Sequence, residues 1–257
     1  MENKKKRITV IIPALNEEPH ILQAVNNTLQ AFVYNGIDGE IIVINDGSRD
    51  RTSEVVKNKI AEHPDKIRII VHDVPKGIGV SFWEGVDNSS ADIVVMLPGD
   101  NENEPQEIIR YYKLLDHVDI VIPFIFNKEA RPFFRNALSY IYRFIINTTF
   151  LVNFNYTNGT VLYRKSILKE LDYRSDGFFF QTDILIRLVK KGYLFAEVPY
   201  KLGTRKKGIS KAISFPSLFQ VIKGYMRLVR YNYNDEIIRK ENFSGDSQTA
   251  IRRRING

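Results

Sequence analysis

Asp100-Asn101-Glu102 follows an apolar run at 93–97 and the breakers Pro98-Gly99. In an extended loop, residues two apart point the same way, so the two carboxylates can converge on one hard cation. A cation bound this way keeps waters and shares itself with phosphates, which suits Mg2+ or Mn2+ and a nucleoside diphosphate. Asp46-Gly47-Ser48 ends a second apolar run, at 40–44. One reading is a turn into a helix, with Ser48 or Asp50 as its cap. The chemical reading is an acid that accepts hydrogen bonds from a nucleobase or ribose, as acids do after Rossmann strands. Glu17, just past Pro13-Ala14-Leu15-Asn16, reads by itself as a helix-dipole acid. Gly77-x-Gly79 at a helix start is a phosphate-loop signal that close helix packing explains equally well.

The elements that must position these residues are legible as a rhythm. β-Branched runs at 8–12, 40–44, 67–71 and 93–97 alternate with helical patterns at 17–34, 52–62, 77–89 and one opened by Pro105. This predicts an α/β fold with parallel strands buried on both faces and right-handed crossovers. Ligands then sit beyond the carboxyl ends of the strands, at 13–17, 45–48, 72–76 and 98–104. The second half continues with a strand at 120–126, an amphipathic stretch dense in aromatics at 131–154 and a short strand at 160–163. A helix at 180–191, a strand at 194–198 and an amphipathic helix at 217–230 follow. Beyond, the pattern dissolves, and 231–257 is expected to be a mobile tail.

The 257 residues are 44% hydrophobic and 26% charged, with 15 Gly and 10 Pro, which excludes collagen-like and low-complexity classes. Zero cysteines exclude a disulfide framework, a thiolate zinc site and a cysteine nucleophile. The basic start at 1–7 runs straight into a short apolar strand without a signal-peptide pattern, and no 18-residue apolar window exists, so a cytoplasmic chain is expected. The net charge of +7 is unevenly spread. Residues 1–126 hold 13 Lys and Arg against 20 Asp and Glu, whereas 127–230 hold 19 against 6. Carboxylates on one wall and phosphate-binding cations on the other fit this split, as does ordinary solvated surface.

Taken together, Pro-Ala-Leu-Asn-Glu-Glu at 13–18, Asn-Asp-Gly-Ser at 45–48, Lys-Gly-x-Gly at 76–79 and Gly-Asp-Asn-Glu at 99–102 resemble family 2 glycosyltransferases of the GT-A fold. The second half is similar to the polyisoprenyl-phosphate branch typified by dolichol-phosphate mannose synthase. Tyr-Thr-Asn-Gly-Thr-Val-Leu-Tyr-Arg at 156–164, the stretch 177–185 and Arg-x-x-Gly-x-Ser-Lys at 205–211 carry that likeness. The resemblance implies a single domain over 1–230, with a nucleotide half to 126 and an acceptor half at 127–230. It implies that Pro13, Leu15, Glu17 and Asp46 surround the base and ribose, with Lys76 and Asn101 also on the nucleotide-sugar. Asp100 and Glu102 would hold the metal on the diphosphate, Arg205 would neutralise the leaving group, and Arg131, Arg135 and Lys211 would hold the acceptor phosphate. Asp183 matches an acidic residue on the acceptor-side helix. The sequence departs from the pattern in having Asp-Asn-Glu for Asp-x-Asp, Asn45-Asp46 for a paired Asp, and Leu15 where an aromatic is common.

The expected reaction is metal-assisted, inverting transfer from a nucleoside-diphosphate sugar to a polyisoprenyl phosphate, an acceptor that needs no general base. A saccharide hydroxyl acceptor would instead need a carboxylate, for which Asp183 is the candidate. A non-catalytic nucleotide-sugar binder is a further alternative. A nucleotidyltransferase would want a glycine-rich basic loop after the first strand, where 13–18 is acidic. Nucleic-acid binding is not expected, because the aromatics lie along amphipathic faces rather than among exposed cations. The stretches 131–154 and 217–230 combine apolar faces with Arg or Lys, which predicts either peripheral membrane contact or packing on the sheet.

Overall fold

The structure, a computed structural model, describes residues 7–157, 159–202, 215–233 and 243–256. The first three strands, β1 (Ile8–Ala14), β2 (Gly39–Asn45) and β3 (Ile67–Val71), alternate with α1 (Ile21–Asn35), α2 (Thr52–Glu62) and α3 (Ile78–Asn88). β4 (Ile93–Met96), α4 (Pro105–Ile109), β5 (Ile120–Ile125), α5 (Phe133–Phe150) and β6 (Leu162–Arg164) come next. The chain then forms α6 (Lys165–Leu168), α7 (Phe180–Lys191), β7 (Phe195–Tyr200), α8 (Phe215–Asn232) and α9 (Gln248–Asn256).

The seven strands order as β3-β2-β1-β4-β6-β5-β7, all parallel except β6, which runs antiparallel to both β4 and β5. The order reverses between β1 and β4, the point where an open sheet leaves a crevice beyond its carboxyl ends. Alternation along β1 distributes the core. Ile8, Val10 and Ile12 pack with α1 residues such as Val25 and Phe32 on one face, while Ile11 meets Phe82 and Trp83 of α3 and Leu185 of α7 on the other. Helix α1 buries Ile21, Ala24, Val25, Thr28, Ala31 and Phe32, the stripe a 3.6-residue period lays against a sheet. It stops at Gly36, whose φ of 60° lets its N–H reach Val33 and Phe32 carbonyls.

The structure corrects the expected tail. Residues 243–256 carry α9, and Ser247 and Thr249 are buried. Apolar periodicity missed this because the anchor is polar. Asp119, wholly buried ahead of β5, accepts hydrogen bonds from the amides of Gln248 (2.6 Å) and Thr249 (3.0 Å) and from the Thr249 hydroxyl (2.5 Å). A carboxylate at a helix N-terminus satisfies donors that have no intrahelical partner and opposes the helix dipole. Arg164 Nε lies 3.3 Å from the same carboxylate, so one buried acid joins β5, β6 and α9.

Replacing Asp119 with Ala leaves the Arg164 guanidinium buried without its counter-charge. We expect a loss of about 3–5 kcal/mol of unfolding free energy by urea denaturation. Limited proteolysis should then cut first within 243–256; a variant as stable and as resistant as wild type contradicts this anchoring.

Candidate functional site at the sheet's carboxyl edge

The crevice is built by hydrogen bonds that extend the ladder past the strands. Leu97 N–H donates to the Ile11 carbonyl (2.9 Å) and Gly99 N–H to the Pro13 carbonyl (3.0 Å), which lays Gly99 and Asp100 beside the end of β1. Asp46 N–H donates to the Ala14 carbonyl (2.9 Å) and draws in the end of β2. The segment after β1 is then sewn to the loop after β2. Asn16 N–H donates to Ser48 Oγ (2.9 Å), Arg49 N–H to Asn16 Oδ1 (2.8 Å), and Glu17 N–H to Thr52 Oγ1 (3.0 Å). Asn16 takes the left-handed φ of 54° that an Asn tolerates. Glu17 also places Oε2 3.1 Å from His20 Nδ1.

The acidic turn differs from the expected extended loop. Asn101 has a φ of 56°, and Glu102 N–H donates to Asp100 Oδ1 (3.1 Å). An Asx-type turn, not strand alternation, therefore brings the two carboxylates onto one short loop. The Asn101 amide is turned to α1, where its Oδ1 accepts from Asn27 Nδ2 (3.1 Å). Among the described residues, no three His, Asp or Glu side chains gather as a complete metal cage. Two hard oxygen donors on one turn are still the set that Mg2+ or Mn2+ takes when phosphates and waters complete its sphere.

The cationic side is brought to this turn. Arg135, in the first turn of α5, places Nη2 4.0 Å from Glu102 Oε2. Arg131 lies 5.6 Å from the Tyr156 ring centroid and reaches its hydroxyl at 3.3 Å. Tyr200 shares their field: burial pushes its phenol up, with Tyr156 and Glu102 adding to the rise and Arg131 and Arg135 opposing it. Beside these arginines, a cleft of about 60 Å³ is lined by Lys128, Arg131, Arg143, Asn136, Tyr140 and Tyr156 among others, with no acidic side chain in its wall.

Asp46 and Asp183 are buried against partners within the protein, and Lys76 is exposed. Asp46 is 6% exposed, and its carboxylate accepts from Lys76 N–H (2.7 Å) and Gly77 N–H (2.9 Å), so it faces the loop before α3. Lys76 is exposed at that loop. Asp183 is only 2% exposed, inside the first turn of α7, with Arg187 Nη1 at 3.5 Å and Arg227 Nη2 of α8 at 3.8 Å. Burial raises its carboxyl above the ordinary value, the two arginines pull it back, and Asp172 adds to the rise. Pro13 and Leu15 lie half-buried at the end of β1, on the crevice. Arg205 and Lys211 lie outside the described residues.

The glycines after β3 have a packing explanation. A Cβ on Gly79 would come within 2.5 Å of the Ser175 carbonyl oxygen, and its N–H donates to the Asp176 carbonyl (3.0 Å). Gly47 has a φ of +74°, and a Cβ there would meet the Val74–Pro75 peptide at 2.7 Å. Two residues received no individual role from the sequence: His72, which touches Asp46, and Tyr156, which stacks with Arg131. His72 stood in a strand-end segment, and Tyr156 opened the 156–164 stretch.

The family model for Glycosyl transferase family 2 matches residues 9–172. A dolichol-phosphate mannosyltransferase of Pyrococcus furiosus is 26% identical over 237 residues, covering 88% of this chain and 64% of its own length. The chain thus spans about two thirds of that relative. A polyprenol monophosphomannose synthase of Mycolicibacterium smegmatis is 26% identical over 225 residues, covering 80% of this chain and 81% of that one. Among solved structures, glucosyl-3-phosphoglycerate synthase from Mycobacterium tuberculosis, in complex with Mn2+, uridine diphosphate and phosphoglyceric acid, superposes with a TM-score of 0.66. It is 21% identical, over 87% of this chain and 78% of that one, and it shares the GT-A fold.

The buried setting of Asp183 generates a pH dependence. Its folded carboxyl binds a proton more tightly than the unfolded one, ordinarily at 3.8, so folding is favoured below the folded value and loses that contribution as pH rises through it. Urea denaturation at stepped pH should show wild type losing stability relative to Asp183→Asn as pH rises above 3.8. Parallel profiles would contradict a carboxyl raised by burial.

Proposed function

The chain belongs to glycosyl transferase family 2, and from that membership and its site we propose that it transfers a sugar from a nucleoside-diphosphate sugar to a polyisoprenyl phosphate. The carrying observation is the meeting of the two charge walls: Arg135 of α5 stands 4.0 Å from Glu102 on the acidic turn after β4. A donor diphosphate at that turn then lies next to guanidiniums that can hold an acceptor phosphate. The relatives named for dolichol-phosphate and polyprenol-monophosphate chemistry support the lipid phosphate as acceptor.

Pro13, Leu15 and Glu17 form the wall for base and ribose, on a segment rigidified by its bonds to Ser48 and Thr52. Asp100 and Glu102 hold Mg2+ or Mn2+, which when bound supplies Lewis-acid stabilisation to the diphosphate. Arg131, fixed against Tyr156, and Arg135 orient the acceptor phosphate, with Lys128 and Arg143 extending the cationic wall. A phosphate monoester has a second pKa of about 6, so it attacks as an anion and needs no side chain to remove a proton. That fits the enclosure of Asp183. In-line attack on the anomeric carbon forms the new C–O bond as the bond to the nucleoside diphosphate breaks, with inversion. By the family resemblance, Arg205 neutralises the departing group and Lys211 assists the acceptor.

The acceptor's lipid chain requires a membrane surface, and we place α5 and α8 on it. No helix among the described residues is long and apolar enough to cross a bilayer. Phe134, Ile141 and Phe144 of α5 and Phe219 and Ile222 of α8 are each more than half exposed. Inward residues hold the helices down, Ile146 and Phe150 on α5 and Leu228 on α8. Exposed apolar side chains flanked by Lys and Arg are those of helices lying in a headgroup layer.

With polyprenyl phosphate and Mn2+, a panel of nucleotide sugars should yield nucleoside diphosphate release that requires the lipid. Glu102→Gln should lower the turnover about 100-fold or more. Release with a free saccharide and none with the lipid contradicts the acceptor. In liposome flotation, wild type should rise with anionic vesicles and a Phe134→Glu/Phe219→Glu double variant should stay at the bottom; a wild type that never floats overturns the membrane placement.

A further inference from the structure

His72, at the end of β3, is buried with its side chain 1% exposed, yet both ring nitrogens meet carboxylates. Nδ1 lies 2.7 Å from Asp46 Oδ1, and Nε2 contacts Glu84 Oε2 of α3. Each ring nitrogen thus has a carboxylate oxygen as its hydrogen-bond partner. Asp46 in turn accepts from the amides of Lys76 and Gly77, the residues that open α3. Meanwhile His72 N–H donates to the Asn45 carbonyl (2.9 Å), and the Val74–Pro75 peptide closes on Gly47. One imidazole therefore ties the loop after β2, the loop after β3 and the body of α3.

We propose that His72 is a positioning residue of the nucleotide site, acting through Asp46 to fix the loop after β3 that carries Lys76. This rests on the reading that a nucleoside diphosphate binds at the β1/β4 edge. The physical case is that the Asp46 and Glu84 carboxyls both reach the buried His72 ring, which is the group that joins them. Without His72, Asp46 loses a partner and its orientation, and the Lys76 and Gly77 amides lose the acceptor held for them. Losing the partner that orients a metal ligand commonly costs about 10–100-fold, and a loss at the lower end of that scale is expected for a loop held through Asp46. His72 touches no reacting atom, so affinity for the donor nucleotide falls while turnover at saturating donor is retained.

The test measures binding of UDP and GDP with Mn2+ by calorimetry, together with amide hydrogen exchange in the peptide 73–80, for wild type, His72→Gln, Glu84→Ala and Glu84→Gln. A thermal melt on each separates local loosening from unfolding. The proposal expects affinity about tenfold lower or worse in His72→Gln. It expects faster exchange at 76–77 with the melt cooperative, a smaller loss in Glu84→Ala, and recovery in Glu84→Gln, whose amide oxygen still accepts from Nε2. If His72→Gln does not fold, the contrast between the two Glu84 variants decides. Wild-type affinity and unchanged exchange in His72→Gln and Glu84→Ala overturn it. A wild type that binds neither nucleotide refutes the nucleotide reading itself, and this positioning role with it; altered exchange would then report only a structural tie.

Discussion

Two backbone hydrogen bonds hold the site together. Gly99 N–H on the Pro13 carbonyl and Asp46 N–H on the Ala14 carbonyl carry the sheet's pairing beyond the ends of β1, β2 and β4. They fix where the acidic turn and the Asp46 loop stand relative to the segment 13–17. The strands beneath are rigid because Ile11, Val43 and Val95 are fully buried, and each such side chain is worth about 1.5–3 kcal/mol of burial. Shifting the turn would require breaking ladder bonds in a buried edge, where an unpaired amide is costly. The backbone thereby preorganises the turn that carries both carboxylates.

Charge is the second organising feature, and it divides by role. The excess of acid in the first half and of base in the second converges where Glu102 meets Arg135 and where Arg131 stacks with Tyr156. Other charges are structural. Asp119 clamps α9, and Asp183 sits between Arg187 and Arg227, joining α7 to α8. They differ in degree of burial: Asp119 and Asp183 are almost fully enclosed, Asp100 is half-buried, and the Glu102 side chain is 11% exposed. An acid with two guanidiniums around it inside a helix pair stabilises an interface, and one on a turn at a sheet edge is available to a ligand.

Much of this was readable from the sequence because the signals were periodic. The four β-branched runs announced the parallel strands of the first half, and Pro98-Gly99 before Asp100 announced a loop at a strand end. The helix expected at 180–191 is α7 with the same limits. What escaped reading depended on contacts between distant residues. The antiparallel course of β6 is three residues long, too short for a pattern. The α9 anchor lies 129 positions from Asp119 and is made of polar groups. The inward turn of Asp46 depends on His72, 26 positions away, and on the loop that His72 steadies. The Asp-Asn-Glu carboxylates share a tight turn rather than the expected extended loop, since a left-handed Asn101 is not implied by residue type alone.

The central claim is that the acidic turn after β4 and the ends of β1 and β2 enclose a single site for a cation and a nucleoside diphosphate. Paramagnetic broadening of amide resonances by Mn2+, titrated with and without UDP or GDP, tests it directly. The account predicts broadening centred on residues 99–102, spreading to 14–17 and 46 when nucleotide is present, and abolished by Asp100→Ala. Broadening centred elsewhere, or none with the nucleotide bound, would contradict it.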